Sequence, residues 1–536
     1  MPTTRPIGRS AAAIVAIALL GGPAGADDKH DHGHGTPAAL GNVHFPVTCA
    51  PAAQAAFDRA MALQHSFWYQ AAKQGFAAVQ QADPQCVMAY WGMAMSQLGN
   101  PFSPRPPDVL SAGAAALAKA GEIGAKNPRE AAYLAALGVY YKDYDKVDHR
   151  NRVVAYAAAM GDVAARFPDD REAAILYALA LDTAAAPTDK TYANQLKAAP
   201  ILEQAFAEQP QHPGVAHYLI HTYDAPPLAE KGLPAALRYA DIAPAAPHAL
   251  HMPSHIFTRV GYWQQSIDTN RRSADAAHAA GEIGDEMHAY DYMVYAYLQT
   301  AQDSAARQVV AGIGAVMTQA DGGYGGQFAA AAMPARLAIE RGAWSDAAAL
   351  APRPTKLANV EAITHFARAL GAARGGNVVA ARAELDTLRA LEAKLVAAKD
   401  VYWAEQTGIQ VDVITAWIAR GEQKAEAIDL MRAAADREAK TEKAPVTPGP
   451  LAPAREMLGE MLLEAGRAAV ALAAFEASHK VEPNRFRGLY GAARAAEQSG
   501  DHAKAKQYYA RLVELCARAD AARPELRQAK EFLDRG

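Results

Sequence analysis

The chain has 536 residues, of which 51% are apolar and 21% are charged, with a formal net charge of -4. This length exceeds one ordinary domain core but suits an elongated array of repeated units. The small net charge and the lack of a basic stripe argue against nucleic acid as a partner. Val, Ile and Thr rarely alternate with polar residues, which disfavours strands.

The first 26 residues have the pattern of a secretory signal peptide. Arg5 and Arg9 precede the short apolar core AAAIVAIALL, and the small residues Ala24–Ala26 fit a cleavage site. We predict that residues 1–26 are removed and that the protein is periplasmic or secreted; the pattern is typical of a protein exported to a bacterial periplasm. The alternative is that the segment stays uncleaved and anchors the chain. No later apolar run is long enough to cross a bilayer, so no membrane span is expected after signal removal.

A polar, histidine-rich stretch follows. The segment DDKHDHGHG supplies His30, His32 and His34, and His44 comes shortly after. We predict that residues 27–48 are disordered. Short tracts of this composition either bind transition metals loosely or serve as solubilising tails, and the residues alone do not decide between the two.

Three cysteines occur in the chain. Cys49 and Cys86 flank the first predicted helix pair, and Cys516 lies near the other end. An oxidising compartment permits a Cys49–Cys86 disulfide and leaves Cys516 as a buried thiol, with three unpaired cysteines as the alternative. We expect the Cα atoms of Cys49 and Cys86 to lie within about 7 Å of each other.

A repeat of about 34 residues organises the remainder. Near the C-terminus, Gly466 and Gly500 are 500 − 466 = 34 residues apart, and Ala471, Phe475 and Pro483 follow the first of them. The N-terminal half repeats these landmarks with Ala72, Phe76 and Pro84, before AYWGMAM, and the middle has Gly376, Ala381 and Leu385. This combination resembles the tetratricopeptide repeat (TPR), in which small residues mark the helix crossing and an aromatic lies in the second helix.

The resemblance implies an all-α fold, a right-handed superhelix of TPR-type helix-turn-helix repeats with a concave groove that binds a protein or peptide partner. The stretches AYWGMAMS, HYLIHTYD, HALHMPSHIF and HAYDYMVYAYLQ look like a recurring type of bacterial TPR protein. Proline- and glycine-rich breaks occur at GNPFSPRPPD, QADGGYGGQF and TEKAPVTPGPLAP. We divide the array into residues 49–320, with the histidine-rich groove, 321–440 and 441–536.

Six histidines fall at equivalent positions of three successive first helices. With Gly261 at repeat position 15, His251 and His255 take positions 5 and 9, and one period earlier the same positions are His217 and His221. The remaining ionisable residues of these helices share the same stripe, which the repeat family turns toward the groove. They are His248, His288, Asp224, Asp291 and Arg259.

This stripe contains neither Lys nor Glu, which an ordinary solvated helix face would use. Histidine is the commonest ligand of transition metals, and i,i+4 spacing aims two imidazoles at one point. We predict a metal site built from His217, His221, His248, His251, His255, His288, Asp224 and Asp291, with the aspartates as ligands or as supports for the imidazoles. Zn, Fe, Mn or Cu(II) would suit it, for one or two ions.

Pro253 interrupts the stripe. In mid-helix it would cost roughly 3 kcal/mol, but in a first turn it costs little. If a helix begins near Met252, His248 and His251 would lie on an irregular segment and the i,i+4 geometry of His251 and His255 would fail. A break in the regular helix pattern, such as this proline among the histidines, is expected at functional sites.

Two functions fit these observations. The first is an exported TPR protein with a His/Asp transition-metal centre in its groove, hydrolytic or oxidative in chemistry. The second is a non-catalytic scaffold that binds a peptide or protein partner. The sequence does not decide whether the protein is an enzyme.

Overall fold

The computed structural model describes residues 40–317 and 322–535. Within these ranges every regular element is helical, which confirms the all-α prediction. The α-helices, in chain order, are α1 (Gln54–His65), α2 (Tyr69–Ala82), α3 (Val87–Leu98), α4 (Pro107–Ile123), α5 (Pro128–Tyr141), α6 (His149–Arg166), α7 (Arg171–Thr183), α8 (Ala193–Glu208), α9 (Pro213–Tyr223), α10 (Leu233–Ile242), α11 (Pro247–His251), α12 (Pro253–Arg259), α13 (Trp263–Ala280), α14 (Ile283–Gln299), α15 (Asp303–Met317), α16 (Gly323–Glu340), α17 (Trp344–Ala348), α18 (Ala358–Arg374), α19 (Val378–Ala397), α20 (Val401–Gly421), α21 (Ala427–Glu438), α22 (Ala454–Glu464), α23 (Ala468–His479), α24 (Phe486–Gln498), α25 (His502–Leu515) and α26 (Pro524–Asp534).

The repeat landmarks close helix pairs as the 34-residue period requires. Gly466 lies between α22 and α23 and Gly500 between α24 and α25, with φ values of 72° and 83°. Glycine is favoured there because the left-handed backbone that reverses the chain is costly for other residues. The fold is therefore a TPR-type array of helix-turn-helix units.

The small and aromatic positions of the repeat also meet as predicted. A Cβ on Gly92 would lie 2.4 Å from the ring of Phe76, and a Cβ on Gly491 would lie 2.3 Å from the ring of Phe475. Neighbouring helices thus approach closely only because these positions carry no side chain.

The array curls back on itself instead of leaving a long open groove. Trp263 at the start of α13 donates from Nε1 to the carbonyl of Asn484 at 2.7 Å, and Arg485 donates to the Tyr295 hydroxyl at 2.6 Å. Asp303 forms a buried salt bridge with Arg523. The C-terminal repeats are therefore fastened to the α13–α14 pair, and the expected groove is partly closed.

The TEKAPVTPGPLAP stretch is part of this closure. Residues 439–453, which we call the strap, connect α21 to α22. In the strap, the Glu442 amide donates to the carbonyl of Pro187 at 3.1 Å, and Lys190 contacts the Glu442 carboxylate at 2.6 Å. Lys443 reaches Asp224 at 2.8 Å. What the sequence presents as a linker is thus a packed segment.

The N-terminal end of the described chain is also packed. Leu40 and Phe45 are buried, and the amide of Asn42 donates to the carbonyl of Gln211 at 2.9 Å. Residues 40–48 therefore do not belong to a disordered segment, because Phe45 packs against Phe57, Trp91 and Tyr133. The predicted signal peptide and residues 27–39 lie outside the described residues.

The predicted disulfide is present. Cys49 and Cys86 are bonded with a Cα–Cα distance of 4.7 Å, and Cys516 is a buried free thiol. No helix in the described ranges has the length and apolarity needed to cross a membrane. The domain boundaries at residues 320 and 440 stay predictions.

Pro253 lies neither in the middle of one helix nor after an irregular segment. It is the first residue of α12, and α11 precedes it as one short helical turn ending at His251. Met252 between them keeps right-handed helical angles (φ −53°, ψ −36°), so the helix direction continues. His248 and His251 therefore lie on a helix and not on an irregular segment.

Candidate metal centre

All six histidines of the predicted stripe lie together on adjacent helices. They form two groups in which one ring nitrogen of each residue lies within 4.8 Å of the others. The first triad is His217, His221 and His248, from α9 and α11. The second triad is His251, His255 and His288, from α11, α12 and α14.

The pairing between helices differs from the predicted register. Equal repeat positions would place His217 beside His251, but the ring near His217 is His248, with centroids 5.0 Å apart. His251 instead lies 4.3 Å from His288. The shift is three residues, about one helical turn, which keeps the same helix face. The predicted contact between His221 and His255 is present, with ring centroids 6.0 Å apart.

Both i,i+4 pairs bring their Nε2 atoms together. The Nε2–Nε2 distance is 3.1 Å for His217 with His221 and 3.1 Å for His251 with His255. The geometry expected to fail at Pro253 is therefore retained. Two ligands on one tetrahedral zinc ion, each about 2.0–2.1 Å from it, would be about 3.3 Å apart.

Hydrogen bonds fix the tautomers of three of these rings. Nδ1 of His217 faces the backbone carbonyl of His65 at 2.7 Å, and Nδ1 of His255 faces Oδ2 of Asp224 at 2.9 Å. Since these oxygens only accept, each Nδ1 carries the proton and each Nε2 presents a lone pair. Metal-ligating histidines are typically oriented in this way.

His251 is fixed by an amide. Its Nδ1 lies 2.7 Å from Oδ1 of Asn270, whose Nδ2 donates to the carbonyl of Ser266 at 2.7 Å. The carbonyl of Ser266 requires the amide nitrogen on its own side, so the atom facing His251 is an acceptor. His251 and His255 therefore aim two lone pairs at each other.

Burial keeps these imidazoles neutral. Burial lowers the pKa of all six histidines below the ordinary value of 6.5, and for all of them except His255 neighbouring histidines lower it further. For His255, hydrogen bonding and charge from Asp224 partly oppose the effect of burial. Neutral imidazole is the form that coordinates a metal.

The two aspartates lie outside both triads. Asp224, directly after α9, accepts from Arg259 Nε at 2.7 Å and from Lys443 Nζ at 2.8 Å as well as from His255. Asp291 accepts from Arg336 Nε at 2.8 Å. Asp224 therefore acts as the support of an imidazole, the second of the two roles expected, and Asp291 is held by an arginine.

Tyr292 lies over the second triad without offering it a proton. Its hydroxyl is 3.0 Å from the carbonyl of Pro445 and 3.1 Å from that of Thr447, both in the strap, and 3.4 Å from Nε2 of His255. The closer carbonyls take the hydroxyl proton. The strap thus packs against the second triad through this tyrosine.

One side of the centre borders aromatic residues. His221, His248 and His288 are partly exposed, whereas the other three histidines are buried. Phe102, in the predicted proline-rich connector, lies 4.6 Å from His221, and Phe67 stacks on His248 at 5.5 Å. Phe67 has a φ of 55°, a strained backbone for a bulky residue of the kind that clusters at functional sites.

A further histidine cluster lies behind the first triad. Glu172 accepts from Nε2 of His65 at 3.0 Å and from Nε2 of His212 at 2.8 Å, and all three side chains are buried. The remaining ring nitrogens accept from the Tyr218 hydroxyl at 2.8 Å and from the Val215 amide at 3.3 Å. Although these residues could in principle hold a metal, every nitrogen already has a partner. We call this group the glutamate cluster and assign it a structural role.

Sequence reasoning missed several of these residues. His212 could have been suspected from its place before Pro213, since a helix cap commonly precedes such a proline. Glu172 and Lys443 carry no sequence signal, because they come from elements far from the repeats that hold the triads. Asn270 lies on α13, the helix that follows α12, and is not part of the histidine stripe.

No protein-family model and no curated protein matches the chain. Among solved structures, the human IFIT1 dimer with m7Gppp-AAAA is similar over 80% of this chain and 90% of that one, at 11% identity and a TM-score of 0.39. Yeast Tom70 is similar over 90% of this chain and 95% of its own, at 12% identity and a TM-score of 0.33. The APC/C Cut9–Hcn1 hetero-tetramer contains a chain that is similar over 90% of this chain and 89% of its own, at 14% identity and a TM-score of 0.33. The candidate site therefore has to be argued from its own geometry.

Proposed function

We propose that this chain is an exported metalloprotein in which the two histidine triads bind transition-metal ions, one ion to each triad. The observation that carries the proposal is the 3.1 Å approach of His251 Nε2 to His255 Nε2 while both Nδ1 atoms donate elsewhere. Two facing lone pairs repel unless a cation lies between them. A proton there would create a buried imidazolium beside Lys443 and Arg259, whereas a metal ion would satisfy both rings and a third.

The ligand set narrows the choice of metal. Imidazole alone suits Zn, Cu, Fe and Ni, while Mn prefers carboxylates. Because Asp224 and Asp291 are engaged by Arg and Lys side chains, zinc, copper or iron fit better than manganese among the metals first considered.

Three imidazoles leave a fourth tetrahedral position for water or substrate, which favours catalysis over a purely structural role. A bound zinc ion would supply Lewis-acid chemistry suited to hydrolysis, and a copper or iron ion would supply chemistry suited to oxidation. The chain's own contribution is to orient the imidazoles through the His65 carbonyl, Asn270 and Asp224. The partly exposed edge beside Phe67 and Phe102 would admit the substrate.

Export is part of the proposal. The signal-like N-terminus predicts it, and the Cys49–Cys86 disulfide supports it, because such bonds persist in oxidising compartments. A TPR-type scaffold fold is also compatible with binding a protein partner. That alternative would need a surface other than the histidine stripe, since the strap packs against the second triad.

Metal content tests the proposal directly. The chain without residues 1–39, which removes His30, His32 and His34 of the predicted tail, is stripped of metal in urea, refolded in the presence of Zn, Cu or Fe, desalted and measured by plasma mass spectrometry. We expect about two ions per chain. His221→Ala combined with His255→Ala removes one ligand from each triad and should abolish stoichiometric binding while the helical spectrum persists.

The matched control replaces two exposed histidines, His44→Ala with His278→Ala, and should keep full metal content. If the His221/His255 variant is poorly folded, the same measurement on His221→Gln with His255→Gln replaces it. Full metal content in either double variant, or no binding of any tested metal by the parent chain, would overturn the proposal.

A further inference from the structure

A cavity of about 710 Å³ has part of its wall formed by the strap. Its walls come from the strap, α16, α20 and the ends of α21 and α23, and none of the six histidines lines it. Its volume falls within the range of small-molecule binding pockets, about 300–1,000 Å³. It is therefore a separate site from the proposed metal centre.

Most cationic side chains in the cavity wall are already neutralised. Each of five has a carboxylate within salt-bridge distance, and a sixth, Lys480, is exposed at the rim. The five pairs are Lys190–Glu442, Arg259–Asp224, Arg336–Asp291, Lys443–Asp224 and Arg455–Asp436. An anionic ligand would have to compete with these bonds.

Two buried glutamates in the same wall have few direct bonding partners. Glu482 is only 7% exposed, and its one hydrogen bond is a long contact of 3.5 Å from the Tyr295 hydroxyl. Glu438 accepts from the Ala454 amide at 2.8 Å. Neither forms a salt bridge with a residue in the described part of the chain. Burial raises the pKa of Glu438 to about 7. Burial also raises the pKa of Glu482, and the positive charges of Arg259, Arg485 and Lys443 oppose this effect only in part.

The helices that carry these glutamates add to the negative potential. Glu438 is the last residue of α21, and Glu482 follows the end of α23 by three residues. The last turns of both helices line the cavity through Ala435 and Ser478. Helix C-termini hold partial negative charge from their unpaired carbonyls and therefore favour cations.

The apolar part of the wall is aromatic. Phe328, Tyr402 and Trp403 line the cavity, and the ring centroids of Trp403 lie 4.9 Å from those of Tyr402 and 5.7 Å from those of Phe328. Aromatic faces attract organic cations, tryptophan most strongly. The buried carboxylates, the helix C-termini and the aromatic rings thus all favour a positively charged ligand.

We infer that this cavity binds an organic ammonium ion, with the amine between Glu438 and Glu482 and the aliphatic chain against Trp403. Two sources share this chemistry, a free linear polyamine and the lysine side chain of a short peptide. The inference does not depend on metal binding.

Calorimetric titration of the metal-free full chain at 0.15 M salt tests the inference. The probes are spermidine, the blocked tripeptide acetyl-Gly-Lys-Gly-amide and, as the anionic comparison, glutarate. We expect spermidine or the peptide to bind one per chain and to change the fluorescence of Trp403, with Trp403→Phe removing that change, while glutarate does not bind. The stronger of the two amines identifies the source.

Glu482→Gln and Glu438→Gln should each weaken amine binding at least tenfold, whereas Glu531→Gln on the exposed face of α26 should not change it. Should Glu482→Gln fail to fold, Glu438→Gln and Trp403→Phe still decide. Absence of binding by both amines, binding of glutarate, or unchanged amine affinity in both folded Gln variants would overturn the inference. Because no metal is present, none of these results bears on the proposed metal centre.

Discussion

The glutamate cluster and the His251–His255 pair use buried histidine in opposite ways. In the glutamate cluster, each ring nitrogen of His65 and His212 meets a complementary partner, and the bridging Glu172 receives two N–H groups. In the pair, both outer nitrogens donate to acceptors and both inner nitrogens are left facing each other. Buried polar groups are normally satisfied, so the cluster is complete, whereas the pair leaves two nitrogen lone pairs facing each other.

The difference teaches that counting histidines is a weak guide to metal sites. Both regions contain residues that could hold an ion. The partners of the second ring nitrogen distinguish them, because they determine whether a lone pair is left over. The glutamate cluster also contacts the first triad, since the carbonyl of His65 fixes the tautomer of His217.

Among the substitutions that test this comparison, we expect Asp224→Asn to have the largest effect on stability. Asp224 supports His255 and is the carboxylate partner of buried Lys443 and Arg259. Removing its charge leaves two cations poorly compensated, so we expect the free energy of unfolding to fall by about 3–5 kcal/mol. Urea unfolding followed by circular dichroism measures this, with exposed Asp268→Asn as the control. A loss below about 1 kcal/mol would show that Asp224 is not the centre of this network.

Glu172→Gln tests the hydrogen bonding of the glutamate cluster. The Gln amide would turn an NH2 group toward one of two N–H donors, so we expect a loss of about 1–3 kcal/mol in the free energy of unfolding. The metal content of the chain should not change, because no nitrogen of either triad contacts Glu172. Loss of metal in a folded Glu172→Gln variant would break the distinction between the two regions.

Acid stability gives a smaller effect at the same position. The pKa of Glu172 is held well below its ordinary value of 4.5 by His212 and His65, against the opposing effect of burial. The unfolded chain therefore binds the proton first, and stability is lost as pH falls below about 4.5, by about 1.4 kcal/mol per pH unit for this group. The difference in unfolding free energy between the parent and Glu172→Gln should shrink by about 1 kcal/mol between pH 4.5 and 3.5, where protonation of the unfolded chain is not yet complete. A pH-independent difference would contradict an ionised Glu172.

The smallest effect is expected for Asn270→Leu. This change keeps the side-chain size but removes the acceptor that fixes the tautomer of His251. Supports of this kind contribute 10–100-fold to metal affinity; because a neutral amide is a weaker support than a carboxylate, we expect about tenfold weaker binding to the second triad. Competition with a chromophoric chelator measures it, and unchanged affinity would mean that His251 is not a ligand.

Much of the architecture could be predicted from the sequence, because each repeat is local. Gly466, Gly500 and Phe475 specify a helix crossing through contacts within one or two repeats, and the disulfide joins neighbouring elements. The six histidines were also found by their shared position on one helix face. These features depend on spacing along the chain, which the sequence displays directly.

What could not be predicted comes from contacts between distant segments. The strap reads as a linker because its prolines break helices, yet Lys443 and Pro445 pack beside α9 and α14. The tautomer of His217 depends on the carbonyl of His65, 152 residues earlier. The one-turn shift that pairs His217 with His248 arises from how adjacent helices are staggered, which repeat numbering does not encode.

The strap has a consequence for the order in which the protein is made. Lys443 contacts Asp224 across 219 residues, and Asn484 contacts Trp263 across 221. A growing chain that has reached α14 already holds all six histidines, but the segments that close over them have yet to be synthesised. Long-range contacts of this kind form slowly. We therefore expect ions to enter the half-built protein more readily than the finished one, and a finished protein to give them up slowly.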